Sequence, residues 1–292
     1  MANVINMGAG SASFVNGTVA AGCRVVYSDG FGVQDKTPTA EESISVIFNS
    51  LIYAPVGVDI SPSTSTEIPT VYLVNSDFTA VKSFDATFAN NSWEKIINAC
   101  HSGDVPDSWI VGNSKTMTIN GSSYQIDIIG KNHDTYADGS GKAPLTFQLH
   151  ACYAQVKSMN NSDTNSGGWK DSVMRQTHLP AILALMSSDV QNGIRAVNKV
   201  TENATTADKL FLLSEPEIFG TTTYSTGKAG TQYDYYKAGN SAAKTQNNGQ
   251  SQWWERSKRY SNSNQFCCVQ TSGTPTYNSA GNPSGFSFGF CF

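Results

Sequence analysis

Residues 260–292 form a run of 33 residues without a single Asp, Glu, Lys, Arg or His. The same run holds five Phe and two Tyr among six Ser, four Asn, four Gly and three Thr. A segment this aromatic and this uncharged must place its rings inside a packed structure and leave its neutral polar groups at the surface or in turns. From Trp253 onward the sequence reads as short strands separated by Gly and Pro. Its composition fits two readings. Tyr, Ser, Asn and Gly make a recognition surface in which Tyr gives contact area and Ser and Asn give adaptable hydrogen bonds. The same residues also make an ordinary Gly/Ser-rich β-region.

The rest of the chain narrows the class. Over 292 residues the net charge is −4, charged residues are 14% and aromatic residues 11%. A basic nucleic-acid surface is therefore not expected, nor is charge-driven disorder. No apolar run approaches the roughly 18 residues that span a bilayer, so no membrane insertion is expected. The segment Met1-Ala2-Asn3-Val4-Ile5-Asn6-Met7-Gly8 lacks the positive region of a secretory leader. The six cysteines, Cys23, Cys100, Cys152, Cys267, Cys268 and Cys291, contain no C-x-x-C pair. They are expected to be reduced and buried, with no metal and no cofactor.

Local signals predict the elements. Cys23-Arg24-Val25-Val26-Tyr27 reads as a strand. Thr39 and Glu42 form a capping box for a helix carrying Ile44, Ile47, Phe48, Leu51 and Ile52, stopped by Pro55. Thr70-Val71-Tyr72-Leu73-Val74 reads as a strand. Asn90-Asn91-Ser92 reads as a boundary, with Ser92 capping a helix that shows Trp93, Ile96, Ile97 and Cys100 on one face. Asn120-Gly121 between alternating runs predicts a hairpin with a type I′ turn. Residues 144–149 read as a strand. Helices are expected over 169–175, over 180–186, and after Ser188-Asp189 with Val190, Ile194 and Val197 on one face. Phe211-Leu212-Leu213 is a buried run of either type. The sequons Asn16-Gly17-Thr18 and Asn120-Gly121-Ser122 read as turns.

Reactive constellations are sparse. His133-Asp134, followed by Tyr136, Asp138 and Gly139, reads as a surface turn rather than a metal site or a His–carboxylate base. Asp134, Asp138 and Asp163 do not match an EF-hand loop. His178 reads as a capping or core residue. Glu255-Arg256 beside Trp253-Trp254 reads as a structural ion pair, because a buried Arg needs a partner.

Several ordered motifs carry a resemblance. Phe211-Leu212-Leu213-Ser214-Glu215, Trp253-Trp254-Glu255-Arg256-Ser257 and Phe288-Gly289-Phe290-Cys291-Phe292 resemble an uncharacterised domain family widespread in phages and prophages of gut bacteria. Residues 124–130, His133-Asp134 and Asn165-Ser166-Gly167-Gly168-Trp169 match it as well. The resemblance covers about residues 92–292. That family is similar to the C-type-lectin-like fold shared with formylglycine-generating enzymes, and to the variable proteins of diversity-generating retroelements. It implies an α+β, C-type-lectin-like domain over 91–292, preceded by a small mixed α/β module over 1–90 for attachment and oligomerisation.

The resemblance also implies a division of labour in the tail. Trp253, Trp254, Arg256, Ser257, Phe266, Cys267, Val269, Gly273, Gly289, Phe290 and Cys291 would be scaffold. Tyr260, Asn264, Gln265, Cys268, Gln270, Thr271, Thr276, Tyr277, Asn278, Asn282 and Ser287 would form the ligand-contacting face. Lys258 departs from the pattern, where Pro is expected. The implied function is a virion-surface receptor-binding protein, such as a tail-fibre adhesin. It would bind a bacterial surface protein or glycan, join other virion proteins through residues 1–90, and assemble as a homotrimer. The alternative is a capsid or tail decoration protein without a specific ligand. No enzymatic activity is expected: Cys267 and Cys291 are the only candidates for a copper-binding pair, and no Lys or His in the tail would activate them.

Overall fold

The computed structural model describes residues 84–292, apart from 203 and 228, and nearer the N-terminus residues 39–40 and seven strands. The chain divides into two compact units, Met1–Phe84 and Asp85–Phe292.

In the first unit the strands are β1 (Phe14–Val19), β2 (Val25–Ser28), β3 (Val33–Lys36), β4 (Glu42–Ile47), β5 (Val58–Pro62), β6 (Leu73–Val74) and β7 (Ala80–Val81). β1 lies between β4 and β5 and is antiparallel to both, while β2 pairs with β3 and β6 with β7. The helix predicted after Thr39 is therefore corrected to a strand. Ile44 faces Gly17 and Val46 faces Val15 across the ladder. Ser-Ile-Ser-Val alternates with period two and is β-branched, which outweighs the capping-box signal before it. Asn16-Gly17-Thr18 likewise lies in β1 rather than a turn. The expected mixed α/β module shows strands and no helix among the described residues. Cys23, residues 48–52 and residues 70–72 lie outside them.

The second unit begins earlier than Asn90-Asn91-Ser92. The buried Asn91 amide accepts from the Asp85 N–H (2.9 Å) and donates to the carbonyls of Asp85 (2.9 Å) and Thr87 (3.1 Å). Phe88 packs its ring 5.4 Å from Trp109 and 6.1 Å from Phe147. Helix α1 (Trp93–Ser102) then starts as the sequence predicts. Ser92 is extended and its Oγ accepts from the Lys95 N–H (3.2 Å); Gly103 in the left-handed region ends the helix, and Ile96, Ile97, Ala99 and Cys100 face inward.

The remaining helices are short: α2 (Gly168–Asp171), α3 (Leu179–Leu183), α4 (Ser188–Gly193), α5 (Glu215–Phe219) and α6 (Asp234–Lys237). The strands are β8 (Ser114–Ile119), β9 (Ser122–Lys131), β10 (Leu145–Leu149), β11 (Val197–Thr201), β12 (Ala204–Asp208), β13 (Leu210–Leu212), β14 (Lys244–Gln246), β15 (Gly249–Ser251), β16 (Trp253–Lys258), β17 (Gln265–Val269), β18 (Pro275–Ser279), β19 (Gly285–Phe286) and β20 (Phe288–Cys291). Two helical expectations change. Ser172 is extended and interrupts residues 169–175, after which one π-turn, Met174–His178, leads into α3. Val197 opens β11 instead of continuing α4, because Val-Asn-Lys-Val-Thr buries every second residue.

Five antiparallel strands form one sheet in the order β13-β20-β10-β9-β8. The β8–β9 turn is the predicted one, with Asn120 at φ 49° and Gly121 at φ 75°. β10 is buried on both faces. Leu145, Phe147 and Leu149 fill one side, while Thr146 and Gln148 on the other are hydrogen-bonded to Asp134 and Tyr236. β20 sits between β10 and β13 and brings Phe290 to 5.3 Å and Phe292 to 5.4 Å from the Phe147 ring. Gly289 lies opposite Phe211, and a Cβ there would stand 2.8 Å from Phe211 Cε2 and 3.0 Å from the Phe147 carbonyl oxygen. Only glycine lets that ring lie against the strand.

A second sheet has the order β18-β17-β16-β19, with β16 and β19 parallel. The fold is α+β, with mixed sheets and short helices. No helix among the described residues is long and apolar enough to cross a membrane.

Candidate functional site

The C-terminal sheet rests on a buried ionic network. Arg256, on β16, forms a two-pronged pair with Glu217 on α5: Nη2 donates to Oε1 at 2.9 Å and Nη1 donates to Oε2. Its remaining donors reach Thr201 Oγ1 (3.0 Å) and the carbonyls of Leu212 (3.0 Å), Val200 (3.1 Å) and Ala229 (2.9 Å). Lys199 Nζ bridges Glu217 Oε1 (2.7 Å) to Asp134 Oδ1 (2.8 Å). Asp134 Oδ2 also accepts from Tyr233 Oη (2.8 Å) and Thr146 Oγ1 (2.7 Å). Burial works to raise both carboxyl groups, but the two cations beside Glu217, and Lys199 beside Asp134, hold them below the ordinary range. Two cations face two carboxylates, and the guanidinium and both carboxylates are supplied with further partners. This is a satisfied scaffold, with no open position for a reactant.

Two sequence expectations are corrected by this network. Asp134 is not on a surface turn; it is buried and paired with Lys199. Arg256 pairs with Glu217 and not with Glu255. The two residues lie where the β16–β17 register shifts between Trp254 and Lys258, and the guanidinium there reaches α5. Glu255 is 0% exposed, and neither carboxyl oxygen has a hydrogen-bond partner. Burial, reinforced by the nearby charge of Glu215, pushes its carboxyl well above the ordinary range. Glu255 is thus a neutral acid in the wall beneath the tail. Glu215 is equally buried, but accepts the backbone N–H groups of Thr223 (3.0 Å), Tyr224 (3.0 Å) and Ser225 (2.7 Å). That grip fixes the loop carrying Tyr224.

Above this wall lies a cluster of rings around one arginine. Tyr277 sits on the edge strand β18, opposite Cys267. The Arg259 guanidinium lies 3.6 Å from the Tyr277 ring centroid and 5.8 Å from that of Tyr224. The two tyrosine rings meet edge to face at 5.0 Å. Arg259 Nη1 donates to Gln265 Oε1 (2.5 Å), and the Tyr260 N–H donates to the Tyr224 carbonyl (2.7 Å). Tyr260 itself is 75% exposed.

The expected face residues separate into groups. Tyr260, Gln265 and Tyr277 belong to the arginine cluster. Thr276 and Asn278 flank Tyr277 on β18 and point to the other side of the sheet. Asn278 Oδ1 accepts from the Asn282 amide (3.1 Å), which places Asn282 beside it. Asn264 is exposed in the loop before β17, and its carbonyl accepts from Ala280 N–H (2.8 Å). Gln270 and Thr271 are exposed at the β17–β18 turn, the far end of the strip. Cys268 and Ser287 do not belong to the face, since both are 0% exposed. The assignment of Cys267 to the scaffold and Cys268 to the face fails on β17, because an interior strand covered on both sides buries Phe266, Cys267, Cys268 and Val269 alike. Ser287 spends its hydroxyl on the Leu149 carbonyl (2.8 Å). The residues assigned to the scaffold are buried apart from Gly273, where positive φ and Ala243 N, 2.8 Å from a would-be Cβ, call for glycine. Lys258 pairs with Glu202 at 2.9 Å.

Sequence reasoning missed Arg259 and Tyr224. Arg259 had one signal: it is the last charge before the uncharged run. Tyr224 had none, because Glu215 brings it there from another loop. Cys267 and Cys291 lie in different sheets, and burial, with Glu255 beside one and Asp134 beside the other, pushes both thiols up. Among the described residues no three His, Cys, Asp or Glu side chains are placed to hold a metal ion.

Residues 145–285 match the model of a domain of unknown function, DUF6273. The matched stretch runs from β10 to β19 and includes Lys199, Glu217, Arg256 and the arginine cluster, while β8, β9 and β20 lie outside it. No curated protein and no solved structure matches the chain.

Proposed function

We propose that residues 85–292 are a C-type-lectin-like ligand-binding unit of a phage virion-surface protein that attaches to a bacterial surface protein or glycan. Residues 1–84 would join it to other virion proteins and trimerise it. The observation that carries the reading is the contrast between wall and face. Glu217, Arg256, Trp253, Trp254 and Phe266 are buried, while Tyr260, Asn264, Gln270, Thr271 and Asn282 are exposed on the same C-terminal segment and its loops. Such a surface tolerates changed side chains without losing the core that supports it. The topology supports the lectin-like reading. β20 returns to pair with β10 after a long excursion that holds the second sheet and most of the short helices.

Tyr260→Ala combined with Tyr277→Ala tests it. Binding of the full chain to bacterial envelope fractions is expected to fall at least about tenfold, since two aromatic contacts are lost, while the urea unfolding midpoint moves little. Unchanged binding with intact folding would remove the face. A full chain that binds no envelope fraction would favour a decoration role.

A further inference from the structure

We propose that the ligand of this face is an acidic glycan, whose carboxylate docks on Arg259 between Tyr224 and Tyr277; this rests on the binding role proposed above. Arg259 is half-buried and has no acidic partner among the described residues. The nearby acids are otherwise engaged. Glu202 pairs with Lys258, Glu215 holds three backbone N–H groups, and Glu255 is enclosed without a hydrogen bond. Only Nη1 and the backbone N–H of Arg259 are used, both by Gln265, so among the described residues the Nε–Nη2 edge of the fork has no acceptor. The guanidinium carbon lies 3.6 Å from the Tyr277 ring centroid, so the ring supports the fork from one side. A planar fork fixed in place and lacking an anion is the arrangement that receives a carboxylate through two parallel hydrogen bonds.

The surroundings select a sugar over a peptide. Tyr260 presents a ring at 75% exposure, suited to the C–H face of a pyranose. Asn264 and Gln265 each keep an amide NH2 to donate to sugar hydroxyl oxygens, while their own oxygens accept from Ser263 Oγ (3.0 Å) and Arg259 Nη1 (2.5 Å). Two cavities, of about 380 and 530 Å³, are lined by other residues, so neither offers this face a pocket for an apolar peptide anchor. The chain's net charge of −4 disfavours diffuse attraction of a polyanion, so the contact is local and only modestly salt-dependent.

The test measures binding of the full chain to oligosaccharides bearing glucuronate, galacturonate or sialate, each also in carboxyl-reduced form, with poly-glutamate and neutral oligosaccharides alongside. At least one acidic glycan is expected to bind and to weaken about tenfold or more on carboxyl reduction. Arg259→Gln should abolish that preference. Arg259→Lys should restore little of it, because a point charge lacks the fork. Unchanged unfolding midpoints must accompany both losses. If neutral glycans or poly-glutamate bind as well as the acidic sugars, or Arg259→Gln leaves a Tyr260-dependent affinity intact, the acidic-glycan inference falls while the binding face stands. If the chain binds no glycan and no envelope fraction, both fall.

Discussion

Replacing Glu217 by Gln is expected to destabilise residues 85–292 by about 3–5 kcal/mol, the loss that follows when one member of a buried ion pair is removed and its partners stay. Glu217 answers two cations, Arg256 and Lys199, and both lie within the fold at 3% exposure or less. It also closes a capping box on α5, where its Oε2 accepts from the Ser214 N–H at 3.1 Å. The amide of Gln has one acceptor and no charge where the carboxylate has two acceptors, so among the described residues Arg256 loses its only acidic partner and Lys199 keeps Asp134 as its only one. Urea unfolding monitored by the buried tryptophans reads the change. A loss under about 1 kcal/mol would mean the network is not the keystone of the scaffold. The pH dependence has a defined sign. The Glu217 carboxyl is held below its unfolded value of 4.5, so its stabilisation is present above that pH and is lost as pH falls through the folded value. The variant should lack this part of the acid-side decline.

Replacing Glu255 has the opposite sign. Its folded carboxyl is raised well above 4.5, so the folded state keeps a proton that the unfolded chain has released. Stability from this group is intact below pH 4.5 and falls as pH rises, by about 1.4 kcal/mol per pH unit until the folded group titrates. Burial raises the carboxyl most, the charge of Glu215 raises it further, and the charge of Arg256, which is paired with Glu217, only partly offsets them. Glu255→Gln should abolish the slope. Glu255→Met should abolish it and raise the urea midpoint at pH 7, because the amide of Gln brings two buried donors with no acceptor and Met brings none. A slope unchanged in both variants would mean that another group is its source and that Glu255 holds no extra proton in the fold.

What could be read from the chain was local. Ser92 at α1, Asn120-Gly121 at the β8–β9 turn and the alternating Leu-Thr-Phe-Gln-Leu of β10 each carry their instruction within a few residues, and each folds as that instruction says. Partners across the chain were not legible. Asp134 finds Lys199 65 residues on, and Arg256 finds Glu217 39 residues back. Arg256 reaches Glu217 from the irregular part of β16, between Trp254 and Lys258, which no local signal marks. The strand at Glu42–Ile47 yielded to its period of two despite a helix cap in front of it. At the candidate site, six of the face residues sit at the surface strip or in its loops without belonging to the arginine cluster. That cluster joins Tyr224 and Arg259 to the three that do, Tyr260, Gln265 and Tyr277. Tyr224 was hidden because Glu215's grip on residues 223–225 is a tertiary event, and Arg259 was marked only as the last charge before the uncharged run.

The central claim is that a buried network and aromatic core carry the fold while the exposed strip carries recognition. Its most direct measurement changes Tyr260, Asn264, Gln270, Thr271 and Asn282 to Ala together and follows unfolding and envelope binding in the same preparation. The expected result is a folded protein within about 1 kcal/mol of the parent, as surface changes away from the core allow, with binding lost. A variant that unfolds, or one that folds and still binds as the parent does, would contradict the account.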